Sequence, residues 1–166
     1  MLFRSEDEFF PVVLRQPLFR QNHYLISSRR SAHAVAKSIS LKEVAKIPLV
    51  LPAGLNARRV VIDRTFAEAG LSLNLAAEAV TVASELSAVR SGAGSTILNL
   101  GDMSGFSLGE FADPVLIEPT FYLTCCLIWS NEVPLTLAAG HVKTLLVDFM
   151  KVQIHTTQRP GASWLD

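Results

Sequence analysis

The chain has 166 residues, and its 15 lysines and arginines balance its 15 aspartates and glutamates, so its formal net charge is zero. A neutral chain has no electrostatic attraction to nucleic acid or to an anionic membrane, which argues against a free-standing DNA-binding module. Hydrophobic residues make up 49% of the sequence and charged residues 18%, a balance that excludes a disordered chain and allows a sizeable core. The length suits one domain or two small lobes.

The sequence contains no recognisable export or membrane signal and no cysteine spacing typical of a disulfide. No apolar run reaches the roughly 18 residues that a membrane span requires, and the N-terminal sequence MLFRSEDEFF lacks the basic start and apolar core of a secretory signal. We therefore expect a cytoplasmic protein with no membrane partner. The two cysteines, Cys125 and Cys126, are neighbours, and we expect them to be buried thiols in a strand.

Short apolar runs alternate with helical patterns along the chain, which is typical of an α/β layer fold. Apolar and β-branched runs predict strands at residues 12–18, 24–27, 49–51, 71–79, 95–98, 115–117 and 122–129. Residues 28–38 are expected to form a surface loop, residues 101–109 a loop or a broken helix, and residues 156–166 a tail without a periodic pattern.

Two helices are predicted in the first half of the chain. Ser40 and Glu43 have the spacing of a capping box, in which each side chain bonds to the other residue's backbone amide, and this short helix ends before Pro48. Asn56 is a suitable N-cap for the second helix, and Gly70 closes it. Both helices lie next to a predicted strand, as an α/β fold requires.

Two more helices are predicted in the second half of the chain. Thr81 is a suitable N-cap for a helix that ends at Gly92. Thr136, which follows Pro134, begins a long amphipathic helix. The apolar positions of this long helix are Val142, Leu145, Leu146, Phe149 and Val152.

Residues 78–98, EAVTVASELSAVRSGAGSTIL, resemble the strand, helix, glycine turn and strand of the effector-binding domain of LysR-type transcriptional regulators. Residues 40–52, SLKEVAKIPLVLP, and 56–78, NARRVVIDRTFAEAGLSLNLAAE, are similar to two further segments of that domain in the same order. Residues 15–28 resemble the strand pair that crosses from the first lobe to the second, and residues 133–150 resemble the returning helix. The resemblance spans nearly the whole chain and implies an α/β fold like that of the type 2 periplasmic binding proteins.

The same resemblance implies a lobe organisation. Residues 1–22 are expected to be a remnant of lobe I, residues 23–128 to form lobe II, residues 129–155 to return to lobe I with the long helix, and residues 156–166 to form the tail. The winged helix-turn-helix of the family and the first elements of its lobe I have no counterpart in this sequence, so we expect an incomplete first lobe. Asn99 stands where the family usually has a proline.

Two helix starts that follow strands are candidates for a ligand site. In two-lobed α/β folds ligands bind beyond the carboxyl ends of the strands, where helix N-termini favour anions. Asn56 has the cations Arg58 and Arg59 close by, and Thr81 and Ser84 supply hydroxyl groups. The alternatives are that Asn56 and Thr81 are helix caps only, and that Arg58 and Arg59 form a solvated helix face.

The resemblance implies that effector contacts lie at the Thr81 helix start. The glycine turn at residues 92–95 would in addition let backbone approach closely, because glycine has no Cβ. The predicted effector-binding residues are therefore Asn56, Arg58, Thr81, Ser84, Gly92, Ala93, Gly94 and Ser95.

Other patterns in the sequence do not predict chemistry. The acidic run at residues 6–8 is more typical of a solvated turn than of a metal site. The four histidines are scattered, and the sequence has no GxSxG, P-loop, HExxH or GxGxxG motif. The histidines are His23, His33, His141 and His155. We expect no catalytic residue, no bound metal, no cofactor and no enzymatic activity.

The resemblance implies a function in transcription control. The chain would bind a small-molecule effector, an organic acid or an amino acid, would oligomerise, and would act on DNA only through a winged helix-turn-helix that this sequence lacks. Two alternatives remain open. The chain is a truncated regulator fragment that acts only by association with itself or with a full-length regulator, or it is a stand-alone small-acid-binding protein that shares only the architecture.

Overall fold

A computed structural model describes residues 2–5, 13–30, 37–54, 56–103, 105–106, 108–156 and 161–165. The chain divides into two compact units, one made of Met1–Gln21 and Leu123–Asp166 and the other of Asn22–Tyr122. The acidic run at residues 6–8 and His33 lie outside the described residues. The assignment of the units to two lobes stays a prediction.

The described residues contain ten strands and four α-helices. The strands are β1 (Leu2–Ser5), β2 (Val13–Asn22), β3 (Tyr24–Ile26), β4 (Ser38–Ser40), β5 (Leu49–Pro52), β6 (Leu75–Ala79), β7 (Thr96–Leu98), β8 (Val115–Glu118), β9 (Tyr122–Ser130) and β10 (Ala162–Trp164). The helices are α1 (Leu41–Val44), α2 (Ala57–Glu68), α3 (Val82–Ser91) and α4 (Leu137–His155). Two short 3₁₀ helices, Leu100–Met103 and Leu108–Glu110, follow β7.

The unit that contains the chain termini is built on a four-stranded sheet in the order β1, β9, β2, β10. β1 pairs antiparallel with β9, and β10 pairs antiparallel with β2, so that Trp164 lies opposite Phe19. Helix α4 contributes two residues to the core of this unit. That core consists of Leu18, Phe19, Leu127, Met150 and Ile154.

Helix α4 has a second apolar face, which is exposed. Four of the five apolar positions that the sequence pattern picks out are between 52% and 69% exposed, and only Leu146 packs against the core. The exposed side chains are Val142, Leu145, Phe149 and Val152. Helix α4 therefore packs against the core with a different face from the apolar stripe that the sequence indicates. The residues that it buries, Met150 and Ile154, are not part of that stripe.

The Asn22–Tyr122 unit holds the other two sheets. One has four strands in the order β4, β8, β3, β7, and the other is the parallel pair β5 and β6. β3 pairs antiparallel with both β7 and β8, and β4 pairs parallel with β8. A parallel bridge between Leu49 and Ser95 places the start of β5 next to the start of β7. One core cluster of this unit consists of Ile26, Leu86, Val89, Leu98, Met103 and Phe111.

The predicted helix caps are confirmed. The amide of Glu43 donates to Ser40 Oγ at 3.2 Å while the Glu43 carboxylate accepts from the Ser40 amide, which completes the capping box of α1. Thr136 caps α4 by accepting from the Ala139 amide at 3.2 Å. Gly92 closes α3 in the left-handed conformation, with φ of +88°. The caps of α2 and α3, Asn56 and Thr81, lie in the candidate site.

Several predicted boundaries were wrong. The expected loop at residues 28–38 runs into β4, and the expected tail contains β10. Both strands have three residues, and each contains serine, so their alternation is too short to recognise. The predicted strand at 71–79 begins only at Leu75, and β2 continues to Asn22.

The remaining predictions concern single features. Residues 101–109, predicted to be a loop or a broken helix, contain parts of the two 3₁₀ helices, which agrees with the second alternative. In β9, Cys126 is buried as expected, whereas Cys125 is only half-buried. Among the described residues, no helix has both the length and the apolar character that a membrane crossing needs.

Candidate functional site

Two helix N-termini lie at one edge of the β5–β6 sheet. These strands are parallel, and Pro52 at the end of β5 lies opposite Ala79 at the end of β6. The chain leaves β5 toward Asn56 and α2, and it leaves β6 toward Thr81 and α3. Since neighbouring strands are about 4.8 Å apart, the two helix starts lie side by side at the carboxyl ends of the strands. The structure thus brings the helix starts at Asn56 and Thr81 to the same end of the sheet.

The start of α3 is fixed by a reciprocal pair of hydrogen bonds. The amide of Ser84 donates to Thr81 Oγ1 at 3.1 Å, and the amide of Thr81 donates to Ser84 Oγ at 3.1 Å. Both side chains are exposed. The first turn of a helix leaves amide groups without intrahelical acceptors, and together with the helix dipole these favour an anion. Thr81 and Ser84 are caps, and the same residues face solvent where a ligand can reach them.

The start of α2 has a simpler cap. Asn56 Oδ1 accepts the amide of Arg58 at 2.9 Å, and the Asn56 side chain is exposed. Arg59 lies on the flank of this helix and donates to Asp63 at 2.9 Å, to Glu78 at 2.7 Å and to the Pro52 carbonyl at 3.0 Å. Arg59 is therefore tied to the ends of β5 and β6 and is not simply a solvated cation.

The glycine turn at residues 92–95 lies at the other end of α3. Ten helical residues separate it from Thr81, which corresponds to about 15 Å along the helix axis. The Ser95 amide donates to the Pro48 carbonyl at 2.8 Å, and the Val50 amide donates to the Ser95 carbonyl at 2.8 Å. A Cβ on Gly94 would collide with the Pro48 carbonyl oxygen. The close backbone approach that the glycines permit is thus an approach to Pro48.

A cavity of about 580 Å³ lies beside the glycine turn. It is lined by Ser28, Arg30, Glu43, Lys46, Ile47, Pro48, Gly92, Ala93, Gly94 and Ser95. The eight residues predicted to bind the effector therefore form two separate groups. One group contains the helix starts at Asn56 and Thr81, and the other lines this cavity.

Arg58 is buried, which corrects the alternative of a solvated helix face. It is 6% exposed, and its guanidinium forms ion pairs with Glu85 and, at 3.3 Å, with Asp102. Thr96 Oγ1 donates to the other oxygen of Glu85 at 2.8 Å. The Asn99 amide, oriented to donate, lies within hydrogen-bonding distance of the Asp102 carboxylate. Arg58 is thus the centre of a buried polar cluster rather than an exposed cation.

The two carboxylates of this cluster have perturbed acidity. Burial raises the pKa of Glu85, and the nearby Arg58 and the Thr96 hydroxyl offset only part of that effect. Burial likewise raises the pKa of Asp102, against the opposing influence of Arg58. Neither Glu85 nor Asp102 was predicted from the sequence. A signal was present for Glu85, because it lies three residues after Val82 and four before Val89, on the apolar stripe of α3.

A second buried polar group lies at the start of β3. The His23 ring stacks on Phe121 with centroids 4.6 Å apart, and the His23 Nδ1 atom is 3.4 Å from the Phe121 carbonyl oxygen. Burial lowers the pKa of His23 to about 4, although the bond to Phe121 opposes this shift; the positive charge of Arg58 lowers it further. His23 is therefore a neutral core residue at neutral pH. Across the described residues, no group of three or more potential metal ligands occurs.

The chain has an α/β fold of the periplasmic-binding-protein-like type. The chain belongs to the LysR substrate binding domain family, whose model matches residues 1–151. A comparison with curated protein sequences finds no match. The resemblance seen in residues 78–98 is therefore confirmed by the family match.

Solved structures of LysR-type regulators are similar to this chain. The CcmR regulatory domain of Synechocystis PCC6803, in complex with 2-PG, matches with a TM-score of 0.79 and 13% identity over 89% of this chain and 71% of that one. The effector binding domain of QuiR, in complex with shikimate, matches with a TM-score of 0.77 and 19% identity over 90% of this chain and 70% of that one. Full-length CbnR, complexed with its target DNA, matches with a TM-score of 0.69 and 19% identity over 79% of this chain and 46% of that one. At these identities the similarity shows a shared fold.

Proposed function

We propose that this chain binds a small organic acid or amino acid at the adjacent starts of α2 and α3 and serves as the effector-sensing part of a LysR-type regulator. The observation that carries the proposal is the pair of exposed helix caps, Asn56 and Thr81, at the carboxyl ends of parallel neighbouring strands. The similar domains of CcmR and QuiR are complexed with 2-PG and with shikimate, which supports a small-molecule ligand.

The mechanism that follows is a shift between conformations. A ligand that binds one conformation more tightly than another changes their populations, and a DNA-binding domain attached to the sensing part reads that change. The residues of this chain would bind and orient the ligand through the first-turn amides of α2 and α3 that the caps leave without an acceptor, and through the side chains of Thr81 and Ser84. This role requires no cofactor and no catalytic step, and it belongs in the cytoplasm with the DNA.

The cavity beside the glycine turn is the competing location for the same function. Its walls carry the cations Arg30 and Lys46 together with Glu43, so it also suits a small acid. It lies at the amino ends of β5 and β7, whereas ligands of such folds bind at the carboxyl ends. We therefore place the effector at the helix starts and assign Gly92, Ala93, Gly94 and Ser95 to the join between β5 and β7.

Replacing Thr81 and Ser84 together with alanine is expected to weaken ligand binding at least tenfold. The substitution removes two hydroxyl groups from the proposed contact surface and costs about 1 kcal/mol of stability through the lost cap. Calorimetric titration with a panel of carboxylates and amino acids, shikimate included, measures the affinity. Thr136→Ala, which removes the comparable cap of α4, is the matched control and should leave affinity unchanged. Full affinity in the Thr81→Ala/Ser84→Ala variant, with binding lost in Lys46→Ala, would move the site to the cavity.

A second candidate function is association through α4. Val142, Leu145, Phe149 and Val152 follow one another at spacings of three, four and three residues, which is the repeat of a coiled-coil seam, and all four are exposed. A fragment that pairs with another copy of itself or with a longer regulator would bury this face. Effector binding and association through α4 can coexist.

Replacing Phe149 with glutamate is expected to shift the chain from an oligomer to a monomer. The charge would lie in the middle of the exposed apolar face, where a pairing surface cannot solvate it. Sedimentation velocity over a range of concentrations measures the oligomeric state. Thr144→Glu adds the same charge to an exposed position of the same helix off the seam and should leave the oligomer intact. A wild-type chain that sediments as a monomer at all concentrations contradicts association of the chain with itself.

A further inference from the structure

One buried guanidinium joins three segments of the chain next to the proposed site. Arg58 lies in the first turn of α2, and two different nitrogens of its side chain contact two different segments. Nη2 pairs with Glu85, in the first turn of α3, and Nη1 donates to Asp102, in the 3₁₀ helix after β7, at 3.3 Å. The partners of Arg58 are 27 and 44 residues away in the chain.

The cluster is fixed from the other side as well. Thr96 in β7 donates to the second oxygen of Glu85 at 2.8 Å, so both oxygens of this carboxylate are engaged by different elements. The side chains of Arg58 and Glu85 are almost fully buried, whereas that of Asp102 is 38% exposed. The bonds therefore connect α2, α3 and β7 through groups that water barely reaches, and the partly exposed Asp102 extends the network to the 3₁₀ helix.

Simple charge neutralisation does not account for this geometry. One contact with Arg58 would be enough to compensate the charge of Glu85, but the guanidinium also reaches Asp102 on a separate segment. The planar guanidinium has several donors in fixed directions, whereas a lysine ammonium at the same position is a single point charge. Two donors that bridge two segments restrict the distance between those segments.

We propose that Arg58 is a positioning residue, which holds the first turns of α2 and α3 and the 3₁₀ helix in one arrangement and so sets the geometry of the two helix starts without touching the effector. The consequence for ligand binding rests on the proposed function, but the effect on the helix starts does not. Arg58 thereby leaves the set of predicted ligand contacts and joins the structure that supports them.

The test uses the whole chain without ligand and separates position from charge. Arg58→Met alone leaves Glu85 buried without its cation, so the urea midpoint should fall. Arg58→Met/Glu85→Gln removes the two almost fully buried charges and leaves only Asp102, whose side chain is 38% exposed, so it should restore most of the midpoint. Hydrogen exchange by NMR is then measured at the amides of Ser84 and Glu85, which are bonded to Thr81. We expect both amides to exchange about tenfold faster in the double variant than in the wild type.

Two further variants keep the proposal open to contradiction. Arg90→Met/Glu110→Gln removes an exposed Arg–Glu pair at the other end of α3 and should change neither the midpoint nor these exchange rates. Arg58→Lys keeps the charge in case the double variant fails to fold, and it should also show faster exchange because an ammonium does not bridge both carboxylates. Wild-type exchange rates at Ser84 and Glu85 in Arg58→Lys, or in a double variant with a restored midpoint, would overturn the proposal. Because no ligand is present, either result is independent of whether the effector assignment is right.

Discussion

Replacing Gly94 with alanine should lower the free energy of unfolding by about 3 kcal/mol, near the upper end of what overpacking usually costs. The added Cβ would collide with the Pro48 carbonyl oxygen. That oxygen has little freedom to move, because it accepts the Ser95 amide at 2.8 Å in the bridge that places β7 next to β5. The methyl group would therefore force the two strands apart at their amino ends. Urea denaturation monitored by circular dichroism measures the loss.

Gly92→Ala is the matched control for this prediction. Gly92 lies in the same turn with φ of +88°, but its surroundings are open. Gly92→Ala should lower the free energy of unfolding by only about 1 kcal/mol, the cost of a left-handed backbone conformation for alanine. If both variants lose the same free energy of unfolding, the contact between Gly94 and Pro48 does not constrain the join between β5 and β7.

The free energy of unfolding should fall by about 2 kcal/mol between pH 7 and pH 5 through His23 alone, and by about 3 kcal/mol by pH 4. Burial lowers the pKa of this residue from 6.5 in the unfolded chain to about 4 in the folded chain. Below pH 6.5 the unfolded chain takes up a proton that the folded chain refuses, so acid favours unfolding. The folded state keeps its full advantage from a neutral, buried His23 above pH 6.5. It loses this advantage progressively as the pH falls from 6.5 toward 4.

The carboxyl groups of Glu85 and Asp102 change the stability in the opposite direction. The pKa values of Glu85 and Asp102 are raised in the folded chain, so these carboxyls take up protons before their unfolded counterparts do, and acidification favours the folded state. The comparison with His23→Phe separates the effects, because the variant retains both carboxyls and an aromatic ring to stack on Phe121. The free energy of unfolding, measured by urea denaturation from pH 7 to pH 4, should depend less steeply on acid in the variant. Equal pH dependence in both proteins would contradict a buried neutral His23.

Local features of the fold could be predicted because their partners are close in the sequence. The caps at Ser40, Asn56, Thr81 and Thr136 each involve residues no more than three positions apart. The short strands β4 and β10 could not be predicted in the same way. Each depends on pairing with a distant strand, β8 for the former and β2 for the latter.

The candidate site was partly predictable for the same reason. The rule that ligands bind at the carboxyl ends of strands picked out the helix starts at Asn56 and Thr81, because each follows its strand directly; their contact with an effector stays a prediction. The ten residues of α3 should also have indicated that the glycine turn lies at the opposite end. The buried cluster around Arg58 could not be predicted from the sequence, because only the tertiary fold brings Glu85 and Asp102 to Arg58.

The exposed face of α4 shows the limit of periodicity arguments. Apolar side chains at helical spacing indicate a face that avoids water, but they do not say what covers it. In this chain Met150 and Ile154 fill the core instead, and the predicted stripe is exposed apart from Leu146. Its pattern is equally compatible with packing inside a larger domain and with pairing between chains.

The most direct test of the proposed effector site is an NMR titration of the ¹⁵N-labelled chain with the panel of carboxylates and amino acids. A member of the panel that binds is expected to shift the amides of Ala57 and Arg58 at the start of α2 and of residues 82–84 at the start of α3, with little change at residues 92–95. Shifts confined to the glycine turn and to Lys46 would place the ligand in the cavity at the other end of α3. No shift with any member of the panel would contradict a small-acid effector for this chain.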